Sequence, residues 1–263
     1  MNFTINKRYF YEKLSVVSRA ISVFSPLPAF SGVKIDVSAT QIVLTGSDSD
    51  ISIRSTILPD EDNQLTINDI GSIVIEAKYI LEIVRKIEGD VIEIEILDDT
   101  LTRISGTNAQ FKINGMKSTD YPAIDFSQPR ESFQISSEVL KEIITQTSFA
   151  TSDRETRPVL TGVNFSCQDH QLQCVATDSY RLAKKLVPID ATVSFNITIP
   201  SKSLQEVLKS IGEEENVTLY VDHKKAQFLI DHTIIQTRLI DGAYPETSRL
   251  IPADFSYELR IDS

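Results

Sequence analysis

The residues of this 263-residue chain that could do chemistry are few, and their spacing argues against catalysis. Asp48, Asp50 and Asp178 stand in Asp-Ser runs that could offer carboxylate oxygens to a hard cation. Such loops need a tight array of about six to eight oxygens, a glycine at the sharp turn and a closing glutamate. The glycine and the glutamate are missing here. Cys167 and Cys174 lie seven apart with no second pair, so they read as two reduced thiols near a strand pair. His170, His223 and His232 are scattered and read as surface or turn residues. No Ser/His/Asp set, glycine-rich phosphate loop or zinc spacing stands out. The reading is a chain with no catalytic residues, no metal and no cofactor.

The chemistry that remains is recognition. Arg157-Pro158-Val159-Leu160-Thr161-Gly162-Val163 is followed by Ala176-Thr177-Asp178-Ser179-Tyr180-Arg181-Leu182-Ala183. The two runs gather cations, hydroxyls, an aromatic ring and leucines. They also have twins: Pro28, Gly32 and Val33 precede Pro158, Gly162 and Val163 by 130 positions, and Ser47-Asp48-Ser49 precedes Thr177-Asp178-Ser179 by the same interval. Phe3-Thr4-Ile5 likewise answers to Phe133-Gln134-Ile135, and Tyr121-Pro122 to Tyr244-Pro245. A period of this length is domain-sized, so each copy can bury its own core.

The elements that must position these residues follow from apolar periodicity. Residues 3–6 alternate as a strand. Over 7–21, Phe10, Leu14, Val17 and Ile21 mark one buried helix face, and Pro26 and Pro28 end the segment. A hairpin-like region covers 32–44, strands 51–53 and 73–76 follow, and Gly89 stops a second helix at about 77–88. Strands at 91–96, 101–104 and 110–114 complete the copy, and 121–129 reads as a linker. The second copy repeats this order, with Leu140, Ile143 and Ile144 in its first helix and 201–211 as its second. Each copy holds two helices and about eight short strands, an α+β layer of helices on antiparallel sheet. Within each copy a weaker half-repeat is visible, a helix and then a run of strands. The boundaries read as 1–126 and 127–252, with 253–263 opening a third copy.

The net charge of −11 argues against coating nucleic acid by bulk charge but leaves room for a local basic face. No run approaches the roughly 20 apolar residues that span a bilayer, and Met1-Asn2-Phe3-Thr4-Ile5 lacks the pattern of a secretory signal. These features suit the cytoplasm.

The domain-sized repeat, the Thr-Asp-Ser-Tyr-Arg-Leu-Ala run, Arg-Pro-Val-Leu-Thr-Gly-Val, and Asp-Gly-Ala-Tyr-Pro-Glu with Arg249-Leu250-Ile251-Pro252 together resemble the bacterial DNA polymerase III β subunits, the sliding clamps. The resemblance runs through the whole chain and covers that family's first two domains and the first strand of its third. It implies a clamp fold in which two protomers join head to tail as a six-domain ring around duplex DNA. It implies helices lining the hole, which makes Lys7, Arg8, Lys13, Arg19, Lys78, Arg85, Lys86, Lys141, Lys202 and Lys209 candidate DNA-facing residues, with Arg154 and Arg157 as further candidates. Such a surface contacts phosphates and reads no base edges. The resemblance also implies a groove for short peptides of replicative polymerase and clamp loader. Its positions here are Leu160, Thr177, Ser179, Tyr180, Arg181, Leu182, Pro245, Arg249 and Leu250. Ser179-Tyr180 stands where the family often has smaller residues, which would reshape the groove. Phe111 and Ile113, with Lys78, match the protomer contact.

Taken alone, the helix cations could equally be solvated faces, and Leu160, Leu182 and Leu250 could be plain core. A two-domain adapter that binds protein partners without encircling DNA is the alternative function. The isolated chain is expected to be monomeric and to form no stable closed ring.

Overall fold

The computed structural model describes residues 1–22, 25, 27–212 and 216–247. Two repeats follow one another. The first runs β1 (Asn2–Asn6), α1 (Lys7–Ser18), β2 (Gly32–Val37), β3 (Ile42–Ser47), β4 (Ile51–Ile57), β5 (Thr66–Asp69), β6 (Gly71–Glu76), α2 (Ala77–Lys86), β7 (Val91–Asp98), β8 (Leu101–Ser105) and β9 (Gln110–Asn114). The second runs β10 (Glu131–Ser136), α3 (Ser137–Thr147), β11 (Gly162–Gln168), β12 (Gln171–Thr177), β13 (Leu182–Pro188), β14 (Phe195–Pro200), α4 (Ser201–Ser210), β15 (Asn216–Val221), β16 (Lys225–Ile230) and β17 (Thr233–Arg238). Apart from β5, each repeat is twice over a strand, a helix and three strands, which is the half-repeat glimpsed in the sequence.

The helices form where the pattern requires. Phe10, Leu14 and Val17 are the buried stripe of α1, and the Asn6 side chain caps it by accepting from the Tyr9 amide at 3.0 Å. Ser136 caps α3 in the same way, accepting from Val139 N at 3.2 Å. α1 ends at Ser18, short of the expected residue 21. The amides of Arg19, Ala20 and Ile21 turn to carbonyls three residues back, at 3.1–3.2 Å, so the last turn tightens and Ile21 still packs on the core. α2 ends at Lys86, likewise short of residue 88. β5 is a strand absent from the sequence reading; it pairs with β1, setting Ile67 opposite Phe3.

The strands build three antiparallel sheets, ordered β5-β1-β7-β8-β9, β10-β15-β16-β17-β4-β3-β2-β6 and β13-β12-β11-β14. The eight-stranded sheet belongs to both repeats. Its seam is the pairing of β17 with β4, where Ile235 lies opposite Ile53 and Thr237 opposite Ile51. Two hydroxyls, Ser55 and Thr233, close the seam at 3.0 Å in its buried layer. α1 packs on β2, β3 and β4, α2 on β2 and β6, and α1 and α2 on each other. α3 and α4 pair in the same way, over β12, β13 and β15 and over β11 and β14. One continuous apolar core runs through both repeats, with Phe3, Phe10, Phe165 and Phe228 among its fully buried side chains. The recurring glycine has a packing reason: a Cβ on Gly162 would stand 2.6 Å from the Ile199 carbonyl oxygen, and one on Gly32 would stand 3.0 Å from that of Ile75. Cys167 and Cys174 are free thiols inside this core, and burial pushes both thiol pKa values up.

Candidate partner groove and DNA-facing helices

The turn after β12 is held almost entirely by its own side chains. Thr177 Oγ1 donates to the Arg181 carbonyl at 2.7 Å and accepts from Ser179 N at 3.1 Å. Asp178 Oδ1 accepts from the amides of Tyr180 and Arg181 at 2.9 and 3.0 Å, and its Oδ2 accepts from Arg181 Nε at 3.0 Å. These two amides, and then the guanidinium, hold the Asp178 carboxyl below the usual carboxylate range. Ser179 sits in the left-handed region at φ 78°, and its twin Ser49 does so at 86°. That backbone throws Tyr180 into solvent, 95% exposed. Arg181 reaches over the Phe149 ring, 5.9 Å from its centroid.

Beneath the turn, the Tyr244 hydroxyl accepts from Thr177 N at 3.0 Å, and burial raises the phenol pKa. Beside it lies a depression of about 480 Å³, lined by Arg154, Arg157, Leu160, Ser179, Tyr180 and Arg181 among others. Leu160 comes from a 3-10 turn, Pro158–Thr161, and is buried in the depression's floor. Thus Leu160, Ser179, Tyr180 and Arg181 of the expected groove come together, with Thr177 supporting them. Leu182 is half-buried at the start of β13 and Pro245 is exposed; Arg249 and Leu250 lie outside the described residues. Arg154 and Arg157, expected to face DNA, line this depression. The sequence reading missed Phe149, which carried no signal, and Tyr244 as a support; the Tyr-Pro repeat was the available clue.

The helix cations are exposed or half-buried, and most have partners within the chain. Lys7 donates to the Ile87 carbonyl at 3.0 Å, Arg8 pairs with Glu12 at 3.1 Å, and Lys141 donates to the Gly212 carbonyl at 2.9 Å. Arg85 and Lys86 share Glu82 at 2.5 and 2.7 Å, lowering its pKa, and Lys209 pairs with Glu206 at 2.8 Å. Lys78 lies 5.8 Å from the Tyr79 ring, and Lys202 is exposed on α4. Lys13 and Arg19 do something the sequence did not announce: they bridge the repeats, to Asp231 at 3.7 Å and to Ser210 Oγ at 3.1 Å. The exposed pairs among them, such as Arg8–Glu12 and Lys86–Glu82, are worth little to stability.

Phe111 and Ile113 lie on β9, the outer strand of the first sheet. β9 is the twin of β17: Phe111 faces Ile104 on β8 as Ile235 faces Phe228 on β16. Ile235 is fully buried because β4 covers it, whereas Phe111 is 39% exposed.

Two α+β repeats joined edge to edge through a shared antiparallel sheet, each carrying a helix pair, have the architecture of a DNA clamp. The family models agree. Residues 1–125 match the DNA polymerase III beta subunit N-terminal domain, and residues 134–246 match its central domain. The beta sliding clamp of Staphylococcus aureus is 36% identical over 267 residues, covering 100% of this chain and 71% of that protein. The DNA polymerase sliding clamp of Bacillus subtilis superposes with a TM-score of 0.93 at 38% identity, over 97% of this chain and 68% of that one. The DNA polymerase III beta chain of Streptococcus pneumoniae also gives 0.93, at 34% identity and the same coverage. The chain belongs to the DNA polymerase III beta subunit family: it is a sliding clamp, a non-catalytic processivity factor of DNA replication. The adapter reading is not favoured.

Proposed function

We propose that the two repeats, 1–126 and 127–252, form successive segments of a ring that encircles duplex DNA and slides on it without reading sequence. The third copy expected from 253 lies outside the described residues. The observation that carries this reading is the β4–β17 seam: the second repeat already offers its outer strand to β4 of the first, and β9, the twin of β17, offers the same kind of edge with Phe111 uncovered. A head-to-tail neighbour pairs with β9 and closes the ring. Such joints are heterologous, and rotation between equal units closes them. The exposed cations of α1–α4 hold phosphates by charge, and the acidic remainder of the molecule disfavours wrapping nucleic acid elsewhere.

The depression beside Leu160 takes short peptides of the replicative polymerase and the clamp loader. An apolar anchor fits over Leu160, and Arg181, Tyr180 and the Ser179 turn orient it. The 263-residue polypeptide by itself is mainly monomeric, and the clamp works in the bacterial cytoplasm.

Topology distinguishes this reading from an adapter. Clamp assembled on nicked circular DNA stays bound in high salt and is released when the circle is linearised. Equal loss from circular and linear DNA would refute encirclement and restore the adapter. Light scattering of the 263-residue polypeptide should give the 29.5 kDa of one chain; a stable dimer would overturn the monomer reading.

A further inference from the structure

Residues 121–127 connect the two repeats, yet they are bonded to both along the way. Tyr121 packs edge-on against Phe30, with ring centroids 5.3 Å apart, in a small apolar cluster with Ala29 and Val74 that Ile124 and Met116 complete. All of these belong to the first repeat. Phe126 then lies under the Arg54 guanidinium, 4.5 Å from it, and Arg54 is on β4, the first repeat's seam strand, opposite Ile234 of β17. Arg54 is half-buried there, and desolvation lowers its pKa.

The next contacts are with the second repeat. Lys225 of β16 donates to the Asp125 carbonyl at 3.0 Å, to its Oδ2 at 3.3 Å and to Ser127 Oγ at 3.4 Å. The Lys225 side chain is 15% exposed, so this is a seated contact. Buried Gln227 donates through Nε2 to the Ser127 carbonyl at 3.1 Å and to Gln236 Oε1 of β17 at 2.7 Å. Asp125 stiffens the segment from within, accepting from Ser127 N at 2.8 Å and Ser127 Oγ at 2.9 Å. Strand alternation puts Arg54 on the face of β4 opposite to Ile53 and Ser55, the face away from α1. On the α1 side the seam is already bridged by Lys13–Asp231 and Arg19–Ser210.

We propose that residues 121–127 are a strap that locks the angle between the two repeats from the face opposite the helices. The β4–β17 ladder alone is a single line of pairing about which two domains can hinge. Contacts on both faces of that line resist bending in either direction. The strap therefore sets the curvature that each repeat passes on to the next.

Hydrogen exchange tests this on the whole chain. Thr56 N donates to the His232 carbonyl and Arg238 N to the Asp50 carbonyl, both at 2.9 Å across the seam, so they report on it directly. In Phe126→Ser, and separately in Lys225→Met, these two amides should exchange roughly tenfold faster, while β1–β7 and β11–β12 amides stay as in the parent. Phe126→Trp, which keeps a ring under Arg54, should retain the parent's seam protection. Seam amides within about twofold of the parent, or equal acceleration in every sheet, would overturn the proposal. The second outcome would make the strap a contributor to overall stability only.

Discussion

Thr177→Val tests whether the recognition turn is built by hydrogen bonds or by shape. Valine is nearly isosteric with threonine, so packing around this buried position is preserved and two hydrogen bonds are lost. The Arg181 carbonyl loses its donor and the amide of left-handed Ser179 loses its acceptor, while the Asp178 bonds to the Tyr180 and Arg181 amides remain. At about 1 kcal/mol for each bond, the expected destabilisation is about 2 kcal/mol. For two repeats that share one core and melt as a unit of more than about 150 residues, that is a fall of roughly 4–8 °C in melting temperature. Ser47→Ala is the internal control. Ser47 Oγ makes the twin contacts, to Ser49 N and the Ile51 carbonyl, both at 3.1 Å. It should cost a similar amount, yet only Thr177→Val should weaken a bound polymerase-derived peptide, by about tenfold or more if the turn loosens. Guanidinium denaturation at constant m-value gives the stability, and fluorescence anisotropy of a labelled peptide gives the affinity. A Thr177→Val loss below about 0.5 kcal/mol, within the range of ordinary surface substitutions, would refute the hydrogen-bond account of the turn. Equal peptide loss in Ser47→Ala would refute the placement of the groove.

Three further outcomes follow from the same geometry. Phe111→Glu should leave the protomer's melting temperature within a few degrees, because Phe111 is already well exposed, while abolishing ring closure in analytical ultracentrifugation of the full assembly. Lys202→Glu with Lys209→Glu should weaken DNA binding uniformly across sequences and flatten log K against log salt by about 0.9 for each phosphate contact removed. Peptide binding should fall in acid. The Asp178 pKa is lower folded than unfolded, so its contribution is complete above the ordinary value of 3.8 and is lost as pH drops through the lowered folded value. Asp178→Asn should remove most of that acid sensitivity in a peptide titration from neutral pH downward.

Fold class and helix positions were legible in the chain because they rest on local periodicity and on an internal repeat that carries its own control; the family was legible through the resemblance of its motifs to the sliding clamps. Phe10-Leu14-Val17 can be buried on one side only by a helix. Twin serines at 49 and 179 mark twin turns before any coordinates exist. What the sequence could not show are contacts between residues far apart in the chain. β5 has a single well-placed apolar residue, Ile67, and forms because β1 offers it an edge. The β4–β17 seam joins residues some 180 positions apart, and no local pattern announces which edge meets which. Lys13 and Arg19 look like any solvated helix cations until Asp231 and Ser210 arrive beside them. Arg154 and Arg157 are basic residues in a loop by sequence; folding sets them around Leu160. The repeat determined what each unit is, since both copies carry the same succession of strands and helices, although the apolar core they bury is one and continuous. Only the tertiary structure decided how the units are joined, because that choice is made by exposed edges and side chains meeting across the chain's full length.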